Sequence, residues 1–365
     1  MTPASEVAVL HPDGVAMTYP SNVHHRIRKQ EPTDYRATAQ ALARCVDVVS
    51  IQHEYGIWGG QDGEHVLDFV NMLRLPSVVT LHTVLRNPSP HQRWILGELV
   101  ATADKTVVMS RSAADLLIRA YDVDSSRLRV IPHGVPNVPL VDSATMKPGL
   151  GVEGREVMLS FGLLGPGKGY ELAIKALPEI VAAHPDVLYV ILGATHPDLI
   201  ATEGEAYRES LKSAIRREGM ENHVLFVDRF VGRNELIRWL EAADVFVTPY
   251  PNLDQIVSGT MSYAMGAGRA VVSTPYTYAE ELLADGRGVL VEPGSAAAIA
   301  EGVSSLLRAP ALRAEIGRRA YAYSRRMVWP AVGDDYRLLF EASAERAQAD
   351  SRTESPLTSR VPVHA

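Results

Sequence analysis

Short runs of aliphatic and β-branched residues alternate along the chain with segments whose apolar positions recur at helical spacing. Such runs predict β-strands, and we expect them at residues 48–53, 77–82, 106–110, 128–133, 157–162, 187–193, 224–227, 245–249, 270–274 and 288–291. Nearly continuous apolar strands separated by amphipathic helices are typical of parallel sheets with helices on both faces. The pattern therefore predicts an α/β protein.

The amino-terminal region carries a weaker pattern. Before residue 48 we predict one strand at residues 6–10, one helix at 34–43 and a loop at 16–33. The strand pattern breaks again between Gly134 and Arg155, where prolines and glycines interrupt regular structure. The break divides the chain into four predicted parts: an N-terminal domain at 1–140, a C-terminal domain at 141–328, a helix at 329–348 and a disordered polar tail at 349–365.

Length and composition fit two soluble domains. The chain has 365 residues, of which 46% are hydrophobic and 22% charged, and no apolar run is long enough to span a bilayer. The start lacks the basic and apolar segments of a secretory signal, and the single Cys45 excludes an internal disulfide. We therefore expect a cytoplasmic protein. The net charge of −7 argues against a protein that coats nucleic acid.

A glycine-rich turn follows the predicted strand at 157–162 and precedes an amphipathic helix. Gly165, Gly167 and Gly169 allow a close backbone approach, the helix start offers unpaired N–H groups, and Lys168 adds a positive charge. The turn is predicted to bind an anion. Its letters nearly match a nucleotide triphosphate loop, but Gly169 replaces the hydroxyl residue that holds magnesium, which disfavours a kinase or NTPase. A purely structural turn is the alternative.

Ligands of parallel α/β sheets bind beyond the carboxyl ends of the strands, so residues that follow strands are candidates for a site. In the N-terminal domain these are His53, Glu54, Tyr55, Trp58, His82 and His133. Histidine and glutamate bind polar groups and exchange protons, although each histidine has a structural role as its alternative. In the C-terminal domain, Gln255, Ser258, Gly259, Thr260 and Glu281 follow strands or begin helices. Helix capping is the alternative for the helix start at Ser258 and Thr260, and a helix-dipole contact is the alternative for Glu281. No metal-ligand spacing, hydrolase elbow or dinucleotide fingerprint is found.

Taken in order, these motifs resemble those of the family 4 glycosyltransferases, retaining enzymes of the GT-B architecture. The likeness runs from about residue 46 to 344. It rests on His82, the run at 130–135, Phe161-Gly162 with Lys168-Gly169, Ala243-Asp244-Val245 before Pro249, Ala264-Met265 with Gly268, and Glu281 with Asp285-Gly286. The resemblance implies two Rossmann-like, doubly wound domains facing a cleft. It also implies a nucleotide-sugar donor, a carbohydrate or other hydroxyl acceptor, and no metal or other cofactor.

The resemblance also implies roles for individual residues. His82, Lys168 and Glu54 would be catalytic, with His82 against the donor sugar and Lys168 on the diphosphate. The donor would further contact Gly165, Gly167, Arg229, Gln255, Ser258, Gly259, Thr260, Tyr263 and Glu281, with the base beside residues 227–230. The acceptor side would hold His53, Glu54, Tyr55, Trp58 and His133. Because retention is attributed to same-face attack, no protein nucleophile is expected.

The chain departs from the family pattern at three positions. Leu163 stands where an arginine is usual, and Gln255 and Tyr263 stand in place of a glutamate pair. The family's first strand and its glycine-rich loop are also not found before Glu6. A sheet without that strand exposes an edge, for which we predict a homodimer or weak activity of the single chain. The alternatives to a hexosyltransferase are a phosphorylase on the same scaffold and a catalytically silent GT-B partner protein.

Overall fold

The chain folds into two units. A computed structural model describes residues 5–12 and 16–353. The first unit contains the described residues up to Ile131 and those from Gly333 onward, and the second contains Pro132–Val332. The C-terminal helix, predicted as a separate segment, thus belongs mostly to the first unit.

The first unit is built on parallel strands. Four of them form one sheet in the order β3 (Val49–His53), β4 (Ser77–Leu81), β5 (Lys105–Val108) and β6 (Leu128–Val130). A separate parallel pair consists of β1 (Val7–His11) and β2 (Val23–Arg28). The helices are α1 (Pro32–Leu42), α2 (His65–Met72), α3 (Pro90–Thr102) and α4 (Arg111–Tyr121). The core is made by β4 together with the buried faces of α2 and α3.

The predicted loop at residues 16–33 is wrong in its second half, where β2 forms. Its sequence, Val-His-His-Arg-Ile-Arg, has no apolar run, and Ile27 is its one buried residue. The strand is defined by backbone pairing with β1, in which Val9 lies opposite Arg26 and Leu10 opposite Ile27. A strand that buries so little side chain leaves no hydrophobic signal in the sequence.

The second unit has a six-stranded parallel sheet. Its strands are β7 (Glu156–Phe161), β8 (Val187–Leu192), β9 (Val224–Val227), β10 (Val245–Thr248), β11 (Ala270–Ser273) and β12 (Val289–Leu290). Its helices are α5 (Ser143–Met146), α6 (Tyr170–Ala183), α7 (Pro197–Glu203), α8 (Ala206–Glu218), α9 (Arg233–Ala242), α10 (Gly259–Gly266), α11 (Thr277–Leu283), α12 (Ala296–Arg308) and α13 (Pro310–Ser324).

The last helix, α14 (Trp329–Thr353), begins in the second unit and continues into the first. It extends beyond the predicted helix end at 348 into the predicted disordered tail, because helical hydrogen bonding continues through residues whose side chains are polar. The part of that tail after Thr353 lies outside the described residues. No helix of the described ranges is both long and apolar enough to cross a membrane.

The strand order of the second sheet defines where a ligand can bind. The order is β12-β11-β10-β7-β8-β9, with every pairing parallel. The direction of winding reverses between β7 and β10, so the loops after these two strands diverge to opposite faces. In sheets of this type the crevice at the carboxyl ends of such a strand pair is the ligand site. The site of the second unit is therefore expected after Phe161 and after Thr248.

Asp244 sets β7 beside β10 at the other end of these strands. This buried carboxylate accepts hydrogen bonds from the Val157 amide at 2.7 Å, from Ser143 Oγ at 2.7 Å and from Lys147 Nζ at 2.6 Å. These three donors, together with the Arg313 guanidinium 3.4 Å from Oδ1, satisfy the buried charge. The pair of strands that carries the candidate site is thus anchored by a fully bonded group.

Candidate active site

The glycine-rich turn lies at the switch point between β7 and β10. After Phe161 the chain leaves the sheet, and the Gly162 amide bonds to the Leu192 carbonyl at 3.0 Å. A short 3₁₀ turn, Pro166–Lys168, then leads into α6, with Gly169 in the left-handed region at φ 67°. The structure therefore has the strand, turn and helix start that the sequence predicts there.

Gly169 is packed directly on the loop that follows β10. A Cβ atom at this position would lie 2.1 Å from the Pro249 carbonyl oxygen. Gly167, two residues earlier on the same turn, has no atom within 4 Å of the corresponding position. The two glycines therefore differ in role, since Gly169 permits contact between the two loops of the crevice and Gly167 leaves open space above the turn.

Substitution of Gly169 by alanine is expected to lower the melting temperature of the protein, whereas the Gly167→Ala variant is expected to melt like the wild type. Gly169→Ala combines a left-handed backbone with overlap onto a carbonyl oxygen, which together cost about 2 kcal/mol or more. Differential scanning calorimetry of both variants tests this. Equal melting temperatures for the two variants would show that the turn does not rest on Pro249.

Lys168 is the charged side chain of the glycine-rich turn. Its Nζ lies 4.5 Å from the centre of the Tyr250 ring, and it makes no ion pair with any described residue. Tyr250 is itself held in place, since its ring stacks on Tyr276 at 5.2 Å and its hydroxyl bonds to Thr260 Oγ1 at 2.9 Å. A cation on an aromatic ring keeps its charge available to an incoming anion. Tyr250 was not among the predicted site residues, although it lies two residues after the end of β10.

The start of α10 completes the crevice of the second unit. Ser258 caps the helix by accepting a hydrogen bond from the Met261 amide at 3.3 Å, so the predicted capping interaction is present. A Cβ atom on Gly259 would lie 2.8 Å from His133 Nε2, and the His133 ring lies 6.1 Å from that of Tyr263. His133, predicted on the acceptor side, thus lies in the second unit among residues predicted to bind the donor.

A second set of polar residues lies at the carboxyl ends of β3 and β4 in the first unit. Glu54 Oε2 accepts a hydrogen bond from Thr83 Oγ1 at 2.5 Å, and His82 Nε2 is hydrogen bonded to Gln52 Oε1 at 2.9 Å. The predicted neighbours Trp58 and Tyr55 support this set. The Trp58 indole donates to the Gln52 carbonyl at 3.1 Å, and the Tyr55 ring lies edge-on to His53 at 5.1 Å. The structure thus brings together five of the predicted residues of the first unit.

Burial keeps the two histidines of this set neutral. His53 is fully buried, and neither ring nitrogen has a hydrogen-bond partner among the described residues. Burial, and then the nearby His82, lower the pKa of His53 to about 4. Burial also lowers the pKa of His82. At neutral pH His82 is therefore a neutral imidazole, oriented by Gln52, and in that form it can accept a hydrogen bond from a substrate hydroxyl.

A third histidine, which sequence reasoning did not single out, has the opposite electrostatic environment. His91 Nδ1 bonds to Asp62 at 3.0 Å and its Nε2 to Glu64 at 3.2 Å. The hydrogen bond to Asp62 is the main reason that the pKa of His91 is raised. His91 follows no strand, so position along the chain carried no signal for it.

Comparison with known proteins places this architecture in a family. The model of the glycosyl transferases group 1 matches residues 142–323, and that of glycosyltransferase family 4 matches residues 2–137. The chain belongs to these glycosyltransferases. The predicted family and the predicted class of enzyme, a hexosyltransferase, are therefore confirmed.

Curated relatives of this glycosyltransferase include D-inositol 3-phosphate glycosyltransferases. The D-inositol 3-phosphate glycosyltransferase of Segniliparus rotundus is 27% identical over 337 residues, which cover 84% of this chain and 71% of the relative. That of Acidothermus cellulolyticus is 28% identical over 70% of this chain. The chain spans 59% of the length of this second relative.

Solved structures confirm the predicted fold. HepE of Anabaena, in complex with UDP and glucose, superposes with a TM-score of 0.69 at 20% identity, covering 87% of this chain and 86% of that one. A glycosyltransferase of Rickettsia africae gives a TM-score of 0.69 at 15% identity, covering 90% and 84%. The glycosyltransferase thus has the α/β GT-B fold.

Several residues of the glycosyltransferase that were predicted to contact the donor form hydrogen bonds within the protein. The Arg229 guanidinium forms two hydrogen bonds to Glu235, at 2.9 and 2.6 Å, and Gln255 Nε2 donates to the Val257 carbonyl at 2.8 Å. Glu281 lies on α11, where its carbonyl accepts from Arg287 at 3.0 Å. Leu163, at the usual arginine position, is 38% exposed. Lys168 is therefore the charged side chain of the turn.

Arg208 is a further residue that sequence reasoning missed. It is 1% exposed and bonds to Asp228 at 2.6 Å, to Glu205 at 3.1 Å and to the Gly193 carbonyl at 3.2 Å. These bonds tie the segment after β8 to the segment after β9, where the resemblance places the nucleotide base. An arginine within a predicted helix is usually expected to be exposed to solvent, so the sequence did not indicate that Arg208 is buried.

The described residues contain no cluster of three potential metal ligands.

Proposed function

We propose that the protein is a retaining hexosyltransferase that moves a hexose from a nucleoside diphosphate sugar to a hydroxyl acceptor without a metal ion. The observation that carries this proposal is Lys168, a cation that makes no ion pair with any described residue and is held on the Tyr250 ring at the switch point of the second sheet. The structures of HepE with UDP, glucose and UDP-glucose support a uridine nucleotide as the donor to test first.

The proposed reaction exchanges one bond at the anomeric carbon for another. The bond from this carbon to the diphosphate oxygen breaks while the acceptor oxygen bonds to the same face. The departing phosphate oxygen takes the acceptor's proton, so a protein nucleophile is not required. Negative charge grows on the diphosphate as it leaves, and Lys168 with the N–H groups at the starts of α6 and α10 opposes that charge. These groups take the part that a divalent cation has in other transferases.

The acceptor is proposed to bind at the carboxyl ends of β3 and β4. His82, neutral and held by Gln52, and Glu54, held by Thr83, are suited to receive hydrogen bonds from hydroxyl groups. The names of the curated relatives make inositol 3-phosphate the first acceptor to test. A cytoplasmic location and a homodimer stay predictions.

Nucleoside diphosphate release tests this proposal. Purified protein with UDP-glucose, UDP-N-acetylglucosamine or GDP-mannose, with and without inositol 3-phosphate, is expected to release the nucleoside diphosphate from one donor. The rate is expected to survive EDTA, to fall in the His82→Ala variant, and to yield a product with the donor's anomeric configuration by NMR. Release that requires a divalent ion, or an inverted product, would contradict the proposal, and so would turnover only with inorganic phosphate.

A further inference from the structure

A cavity of about 400 Å³ lies in the first unit, between the edge of its sheet and α14. Its sheet side is formed by residues at the start of β5 and along β6, including Lys105, Arg129 and Val130, and its helix side includes Leu338 and Arg346. Lys105 begins β5 and so marks the amino end of a parallel sheet, whereas the proposed acceptor residues follow the carboxyl ends of β3 and β4. The cavity is therefore separate from the candidate active site of this unit.

Three cations line this cavity, and within the described part of the chain none of them is paired with a carboxylate. Lys105 Nζ donates to the Ser126 carbonyl at 2.9 Å, and Arg129 donates to the carbonyls of Ser126 at 3.3 Å and Leu128 at 2.7 Å. Arg346 has no hydrogen-bond partner among the described residues. Carbonyl groups therefore orient Lys105 and Arg129 without neutralising them.

Two carboxylates, Asp104 and Asp335, also line the cavity, so three cations and two anions leave its lining with one net positive charge. Asp104 accepts a hydrogen bond from the Ser77 amide at 2.7 Å, which commits it to the join between β4 and β5. Asp335 is solvent-exposed on α14 and makes no ion pair with a described residue.

The field at Lys105 agrees with the geometry. Burial is the main reason that the pKa of Lys105 is lowered, and the charges of Arg129 and Arg346 lower it further, while Asp124 opposes them. Repulsion between cations that are held close together raises the free energy of the site without a ligand. Binding of an anion reduces that repulsion. The cluster of cations around Lys105 thus favours the binding of an anion.

The walls of the cavity add an apolar requirement. Val130 is 44% exposed and Leu338 is 57% exposed, so both present hydrocarbon next to the cations. The volume lies in the range of pockets for small organic ligands. A bare inorganic ion would leave this hydrocarbon in water, whereas an organic ester would cover it.

We propose that this cavity is a binding site for a phosphate monoester, whose phosphate is held by Lys105, Arg129 and Arg346 and whose organic part rests on Val130 and Leu338. A phosphate monoester is close to a dianion at neutral pH and offers three acceptor oxygens, which suits two guanidinium groups and one ammonium group. Because α14 forms one wall, binding fixes the C-terminal part of this helix against the sheet of the first unit. The phosphate belongs either to a soluble metabolite or to a lipid headgroup.

Calorimetry with the full chain tests the site and separates the two sources. The soluble arm uses glycerol 1-phosphate and inorganic phosphate, and the lipid arm uses phosphatidylcholine vesicles with and without phosphatidic acid. The ester is expected to bind more tightly than inorganic phosphate, with an affinity that falls as salt is raised. Binding of glycerol 1-phosphate identifies a metabolite site. Binding of phosphatidic acid vesicles alone identifies a lipid headgroup site.

The test variant and its control both replace an exposed arginine on α14. Arg346→Ala is expected to weaken binding about tenfold and Arg346→Glu to abolish it, because one charged hydrogen-bond donor is removed or reversed. Arg337→Ala is the matched control: Arg337 lies on α14, pairs with Glu341 at 3.0 Å and does not line the cavity. The control is expected to bind like the wild type.

A third readout does not depend on turnover. Hydrogen exchange in residues 335–349 is expected to slow when the ester binds, and Lys168→Ala is expected to leave this protection unchanged. Absence of binding in both arms would overturn the proposal, and so would equal affinity of Arg346→Glu and the wild type. Because the site does not involve Lys168, its failure would leave the proposed transfer reaction standing.

Discussion

Replacement of Lys168 by alanine is expected to lower the rate of nucleoside diphosphate release by 10²–10³-fold, equivalent to about 3–4 kcal/mol of transition-state stabilisation. The effect is large because Leu163 supplies no second cation on the turn and Arg229 is paired with Glu235. The loss is expected mainly in kcat, since negative charge on the diphosphate grows as the glycosidic bond breaks. Steady-state assays with the preferred donor measure it.

Lys175 provides the matched control for this experiment. It lies on α6, the helix that follows the turn, and is exposed to solvent. Lys175→Ala removes the same charge from the same helix and is expected to keep the wild-type rate. Lys168→Arg is expected to retain part of the activity, because a guanidinium can also rest on the Tyr250 ring. A Lys168→Ala rate within a few-fold of the wild type would show that the turn does not stabilise the leaving group.

The location of Lys168 was predictable because it depends on local sequence and on one rule of topology. An apolar strand, a glycine-rich turn and an amphipathic helix identify a βα junction, and residues at such junctions gather at the carboxyl edge of a parallel sheet. The same rule predicted that His82 and Glu54, which follow neighbouring strands, lie at one edge of the first sheet. The apolar pattern also predicted strands that are buried on both faces, such as β4 and β8, because such a strand is a nearly continuous apolar run.

What the sequence did not reveal depends on contacts between distant segments. The ring of Tyr250 under Lys168, the buried bonds of Arg208 and the carboxylates around His91 join residues whose neighbours are set by the tertiary fold. His133 was predicted with the N-terminal residues because the domain boundary was placed after it. In the structure the second unit begins at Pro132, so His133 packs on Gly259.

The departures from the family pattern bear on the donor. Tyr263 lies beside His133 and 6.3 Å from the Phe161 ring, and Gln255 bonds to its own loop, so an aromatic and an amide group occupy the positions usual for two glutamates. Neither group carries a charge. A donor that relies on ionic contacts to its hydroxyl groups has no partner there, whereas stacking and neutral hydrogen bonds remain available.

Substitution of His53 by leucine is expected to make the first unit less sensitive to acid. In the folded wild type the pKa of His53 is lowered to about 4, against about 6.5 in an unfolded chain. The unfolded state therefore takes up a proton between these values while the folded state does not, and stability is lost as the pH falls from about 6.5 to 4. The wild type is expected to lose up to about 3 kcal/mol relative to His53→Leu over that interval. Urea titrations read by hydrogen exchange of residues 49–53 measure it.

His91 supplies a control of opposite sign in the same unit. Its pKa is raised by Asp62 and Glu64, so its contribution to stability is present at low pH and is lost as the pH rises through the folded-state pKa. His91→Gln is therefore expected to destabilise the unit more at pH 5 than at pH 8. The stability of His53→Leu is expected to improve relative to that of the wild type as the pH is lowered. If both variants follow the wild type in parallel at every pH, burial does not hold His53 neutral. The neutral environment inferred for the adjoining His82 would then lose its main support.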